Sequence, residues 1–204
     1  MRIQTCLRVL SASLILGMTL TGCVTLATLA PAGNYSVKSK YAVTLDRAWS
    51  DVSKFPTSGR TPKVRVLTID GLMLNRLHIS DGLTTSEPLV IKPGTRDGKS
   101  TPALRGHTNM SLSEQIEFVT QSVTELDYLR VTSSSPKPVT ISGVRGVRFE
   151  LSGKTPDGLN VKGLGQAVSK DGKNYYIVYL APAEHYYQAS LSNVIAVMDS
   201  AKLP

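Results

Sequence analysis

Beyond Cys23 the chain has no cysteine. Its two cysteines, Cys6 and Cys23, both stand near the amino terminus, so no disulfide framework staples the body. The Gly-x-Ser-x-Gly elbow is missing, and with it the local sign of a serine hydrolase. The three histidines, His78, His107 and His185, include no pair at the i, i+4 spacing of a zinc helix. Carboxylates are scarce, 15 against 23 lysines and arginines, and none pair at a spacing suited to acid–base work. Complete phosphate loops are absent too. Gly163-Leu164-Gly165 and Gly143 with Gly146 fall in predicted β structure and read as bulges or close-packing glycines. The residues therefore point to no catalytic group, metal ligand or cofactor, and an enzyme is the less favoured class. Lys/Arg runs and basic helix faces are also lacking, which argues against nucleic acid as a partner.

What the chain does have starts at its amino terminus. Residues 1–8 hold Arg2 and Arg8 and no acid. Residues 9–20 are apolar, and a dozen residues suit a signal-peptide core better than a membrane span, which needs about 20. Leu20-Thr21-Gly22-Cys23 follows. This segment resembles the bacterial lipobox: Leu three positions before the cysteine and a small residue just before it. The resemblance implies diacylglycerol on the Cys23 thiol, cleavage between Gly22 and Cys23, and acylation of the freed amine. Two or three acyl chains hold a protein on a bilayer where one does not. An uncleaved anchor is the competing reading, since residues 9–36 carry no charge, but a span has no need of a cysteine there. Val24, rather than Asp, follows the cysteine. By the sorting pattern of well-studied diderm bacteria, that implies the outer membrane, facing the periplasm.

The sequence divides into a signal at 1–22, a lipidated tether at 23–33 and one domain at 34–204. Removing Arg2 and Arg8 with the signal leaves 21 basic against 15 acidic residues, a net +6. That balance favours anionic surfaces such as phospholipid or acidic glycan. In the domain, Tyr35, Val37, Tyr41, Val43 and Leu45 alternate as one strand. Asp46 caps a short helix through Phe55, with Trp49 and Val52 inward. Residues 63–69 and 73–79 form a hairpin about Asp70-Gly71, a two-residue turn dipeptide. Residues 83–91 form an edge strand limited by Pro88, and 92–108 a long surface loop.

Ser111 with Glu114 fits a capping box. Leu112, Ile116, Val119, Val123 and Leu126 make one apolar stripe on the helix that follows. Residues 128–133 and 137–141 are two strands parted by Ser134, Ser135 and Pro136. Strands at 146–152, 159–169 and 174–180 form an antiparallel meander through Thr155-Pro156-Asp157-Gly158 and Lys170-Asp171-Gly172-Lys173 turns. The last is apolar or aromatic on both faces, which gives it a central, covered place. A helix over 183–201, with Tyr187, Leu191, Val194, Met198 and Ala201 on one face, closes the chain.

Strands in runs with helices at intervals predict an α+β fold, a central antiparallel sheet with helices packed on its faces. The order of hairpin, Asp-Gly-Lys turn, Tyr-rich strand and final helix ending "VMDSAKLP" over 143–203 resembles the PsbP-like α/β sandwich. That group includes the extrinsic photosystem II subunit and envelope lipoproteins of the DcrB type. The resemblance implies a binding or assembly role rather than catalysis; with the lipid anchor and the basic charge, the expected partner is an envelope protein or glycan.

The alternative is a protein, binding module or enzyme, that handles a small-molecule or glycan ligand in a pocket near the 92–108 loop. Arg105 and His107 are its candidate contacts. The tyrosines at 175, 176, 179, 186 and 187 read as core filler split across two faces rather than as a binding platform.

Overall fold

The computed structural model describes residues 26–38, 41–93 and 104–204. Among these residues ten strands and two α-helices follow one another: β1 Thr28–Ala30, β2 Gly33–Ser36, β3 Ala42–Leu45, β4 Trp49–Asp51, β5 Val64–Thr68, β6 Arg76–Ser80, α1 Leu112–Thr124, β7 Leu129–Ile141, β8 Val144–Lys154, β9 Asn160–Lys170, β10 Lys173–Pro182 and α2 Tyr186–Asp199. Eight strands build one sheet in the order β1-β4-β5-β6-β10-β9-β8-β7, and β2 with β3 forms a separate hairpin. Every pairing in the large sheet is antiparallel. The fold is thus the α+β sandwich that the sequence predicts.

The strand β10 lies between β6 and β9, and its side chains are buried on both faces from Asn174 to Pro182. Tyr175, Ile177 and Tyr179 enter one core with Val194, Val197 and Met198 of α2 and Val43 and Leu45 of the hairpin. Tyr176, Val178 and Leu180 enter the other, under Phe118, Val119 and Val123 of α1. The tyrosines divide as the period of two requires. Tyr175 packs on Tyr41 with ring centroids 5.0 Å apart, and Tyr176 on Phe118 at 5.5 Å.

The helix α1 starts where the sequence places it. The Ser111 hydroxyl accepts from the Glu114 amide, and the Glu114 carboxylate accepts from the Ser111 amide at 2.7 Å, a cap worth about 1 kcal/mol. The helix α2 is tied down at its far end. The Gln166 carboxamide donates to the Met198 carbonyl at 3.0 Å and accepts from Arg148, which also pairs with Asp199 at 2.6 Å.

Several expectations need correction. Residues 23–33 are not all tether, because β1 pairs with β4, buries Ala30, and β2 begins at Gly33. The alternating residues from Tyr35 to Leu45 form two strands of a hairpin, not one. The segment after Asp46 is strand β4 and then a 3-10 turn at Pro56–Ser58, not an α-helix. Trp49 and Val52 are nonetheless buried. The β5–β6 hairpin exists, but its connection is longer than Asp70-Gly71. The Asn75 side-chain oxygen takes up the amides of Ile69 and Asp70, and Gly71 sits at φ 107°, so a wide loop replaces the tight turn. Residues 83–91 contribute only a bridge between Leu83 and Asn174. The run from Leu129 to Ile141 is one strand, with irregular pairing where Arg130 and Ser135 adopt positive φ.

Close packing also explains the glycines of β9. A Cβ at Gly165 would stand 2.5 Å from the ring of Phe149, which is itself buried. Gly165→Ala should cost about 1–3 kcal/mol by overpacking, read as a lower urea midpoint. Adding Phe149→Leu should recover part of that loss. An unchanged midpoint for Gly165→Ala would show that the sheet is looser here than described.

Candidate functional site

Two cavities among the described residues are large enough for a small ligand; one reaches Ile91, just before the 92–108 loop, and the other reaches Pro93 at its start. The first, of about 550 Å³, surrounds the 3-10 turn and is lined among others by Lys38, Lys54, Arg60, Arg65, Thr61 and Ile91. Among the described residues, four cations and no carboxylate line it. The nearest acid on the adjoining strand, Asp51, is occupied: it accepts from the Tyr35 hydroxyl at 3.0 Å and from the Ser53 amide at 2.9 Å. Burial, reinforced by the Asp51 charge, pushes the Tyr35 hydroxyl far above its usual range, so it stays a donor.

The second cavity, of about 300 Å³, lies at the end of the sheet beyond α1. Leu72, Met73, Leu126, Tyr128, Val161 and Pro182 line it together with Asp127 and Asp157, and Arg76 is the only cation among the described residues that line it. Arg76 is 6% exposed. Its Nε and Nη2 both donate to the Leu72 carbonyl, at 3.1 and 2.8 Å, and its guanidinium stands 5.9 Å from the centre of the Tyr128 ring. Nη1 is buried with no hydrogen-bond partner among the described residues. No acid among the described residues comes within ion-pair distance of it.

The same strand carries a second isolated polar group. Leu77 and Ile79 of β6 face the α2 core, so by alternation Arg76, His78 and Ser80 face α1. The Ser80 hydroxyl accepts from the Tyr176 amide at 2.8 Å, but both ring nitrogens of His78 lack a partner. Burial, with the Arg76 charge as a smaller contribution, lowers the His78 pKa from 6.5 to about 3. The imidazole is neutral and held under α1, where the Tyr176 hydroxyl, Gln115 Oε1 and Ser122 Oγ are also buried without partners.

Arg105 and His107 line neither cavity. Arg105 Nη1 donates to the Ser86 carbonyl at 2.7 Å. The His107 carbonyl accepts from the Asn174 side chain at 3.0 Å, and its ring stands 3.7 Å from Glu114. Both residues fasten the loop end to the body. His185 is at the N-cap of α2 and makes no side-chain cap. The three histidines do not converge, and among the described residues no group of three metal-ligating side chains does. Gly22, Cys23 and residues 94–103 of the loop lie outside the described residues. Arg76 was not among the sequence candidates, because an isolated arginine in an alternating strand reads as solvent-facing.

No family model and no curated protein matches the chain. Solved structures do. The cyanobacterial PsbP protein (CyanoP) of Synechocystis sp. PCC 6803 superposes with a TM-score of 0.54 over 93% of this chain and 99% of that one, at 14% identity. The Saccharomyces cerevisiae Ran-binding protein Mog1p gives 0.46 at 12% identity, over 87% of this chain and 85% of its own. LpqN of Mycobacterium tuberculosis, involved in cell envelope biogenesis, gives 0.32 at 11%, over 87% and 84%. The first of these shows the fold: this chain is built as a PsbP-like sandwich.

The state of His78 has a measurable consequence. Between pH 6.5 and about 3 the unfolded chain binds a proton that the folded chain refuses. Its contribution to stability is therefore complete above pH 6.5 and shrinks as pH falls toward 3, by at most about 1.4 kcal/mol per pH unit. Urea midpoints at pH 7, 5 and 4 should fall less steeply for His78→Leu than for wild type. Parallel slopes would show that His78 does not titrate this way.

Proposed function

We propose that the chain is a bacterial envelope lipoprotein, anchored by acyl chains on Cys23, whose sandwich domain has a non-enzymatic binding or assembly role. The observation that carries this reading is the placement of Leu20-Thr21-Gly22-Cys23, after an apolar run and five residues ahead of the first strand. Five residues reach at most about 18 Å, so the anchor holds the domain close to the bilayer.

The orientation follows from β1. Thr28 pairs with Asp51, antiparallel, so the chain leaves the sheet alongside the segment that follows Asp51. That segment, with Ser53 and Lys54, walls the basic cleft. Lys38, Lys54, Arg60 and Arg65 then stand on the side nearest the lipid, where an anionic surface attracts them. The outer membrane, periplasmic side, is the proposed address, on the strength of Val24 after the cysteine. The proposed partner is an envelope protein or glycan met at that surface.

The test is metabolic labelling with a fatty acid in cells making wild type or Cys23→Ala. Wild type should carry label and have a mass that begins at Cys23 plus lipid. The variant should carry none and retain residues 1–22. Label on the variant, or an unlabelled wild type that keeps residues 1–22, would contradict the anchor.

A further inference from the structure

We propose that the cavity around Arg76 is a binding site for a small apolar carboxylate. The argument starts from an unpaired charge. A buried guanidinium is costly unless an anion or a full set of acceptors meets it. Arg76 has neither. Two of its donors share one carbonyl, that of Leu72, and Nη1 has no partner.

The geometry says which side is free. Nε and Nη2 are both spent on Leu72, which occupies that edge of the planar group. Nη1 has no acceptor and is covered; a ligand that shifts the covering atoms would meet the Nη1–Nη2 edge with two parallel hydrogen bonds. The carboxylates that line the cavity do not fill it. Asp127 pairs with Lys92 at 3.3 Å, and Asp157 accepts from Thr155 in its own turn, which holds its carboxyl below the usual range.

The walls decide the rest of the ligand. Leu72, Met73, Leu126, Tyr128, Val161 and Pro182 present apolar surface, and Met73 is 80% exposed at the mouth. A volume of about 300 Å³ is at the small end of ligand pockets. One cation beside apolar walls, with both lining aspartates engaged elsewhere, suits a single negative charge on a short acyl or aryl body. A phosphate dianion would call for further cations, and no other among the described residues lines this cavity. The cavity is assembled from the β5–β6 loop, the end of α1, the β8–β9 turn and the end of β10, so its shape depends on the whole sandwich.

The test uses the full chain held in phosphatidylcholine nanodiscs. Binding of hexanoate and of its neutral isostere hexanamide is followed by saturation-transfer NMR. A charged hydrogen-bond pair should favour hexanoate by about tenfold or more. Arg76→Met should abolish that preference and leave the thermal midpoint unchanged or raised, since it removes an unpaired buried charge. Equal affinity for acid and amide on the wild type would overturn the proposal without any variant. So would full hexanoate binding by Arg76→Met, or a ligand-free structure with one of the chain's own carboxylates on Nη1. Cys23→Ala should bind hexanoate like wild type, so failure here leaves the anchor reading standing, and the reverse holds too.

Discussion

The strand Lys173–Pro182 buries side chains on both faces of the sheet, and each face must therefore be roofed before that strand has a stable place. Helices α1 and α2 are the roofs. With aromatic and branched residues on alternate sides, β10 cannot sit at an edge or present a face to water without losing much of its burial. The order of the sheet follows: β10 takes the middle, the β8–β9 meander extends one way, and the β5–β6 hairpin extends the other.

The two roofs differ in kind. Under α2 the contacts are mostly apolar, Gln166 and Arg148 are met by Met198 and Asp199, and Trp49 Nε1 is left buried without a partner among the described residues. Under α1 the sheet presents His78, Arg76 and the Tyr176 hydroxyl, and the helix presents Gln115 and Ser122, with polar atoms left unmatched. Proteins tolerate such groups where something besides stability is selected. Of these groups Arg76 alone lines the cavity at the end of this face; the others lie between β6, β10 and α1.

Much of this was legible in the residues, and for identifiable reasons. The capping box at Ser111 and Glu114, the meander with its Asp-Gly turns, and the two-faced strand at 174–180 are local signals with strict geometry, and each reappears. The tyrosine division follows from a period of two. What sequence could not give was long-range. Val37 and Tyr41 alternate with their neighbours across a hairpin bend as well as along a strand, so periodicity alone does not separate the two. Residues 23–33 read as tether because small and apolar residues there carry no sign of a strand, and only pairing with β4 makes β1 one. Arg76 and His78 alternate with Leu77 and Ile79 as if one face were wet. Their burial is known only once α1 is seen to cover that face. Arg105 and His107 looked available because their neighbours are polar, but their partners, Ser86 and Asn174, are distant in sequence or unremarkable in it.

The central claim is this asymmetry, a firmly packed α2 face and a polar, less complete α1 face on either side of one indispensable strand. Native-state hydrogen exchange, residue by residue, tests it most directly. The account predicts that amides of β10 and α2 exchange only with global unfolding, while those of α1 open at a measurably lower free energy. Exchange of α2 ahead of α1, or local opening of β10 below the global value, would contradict it.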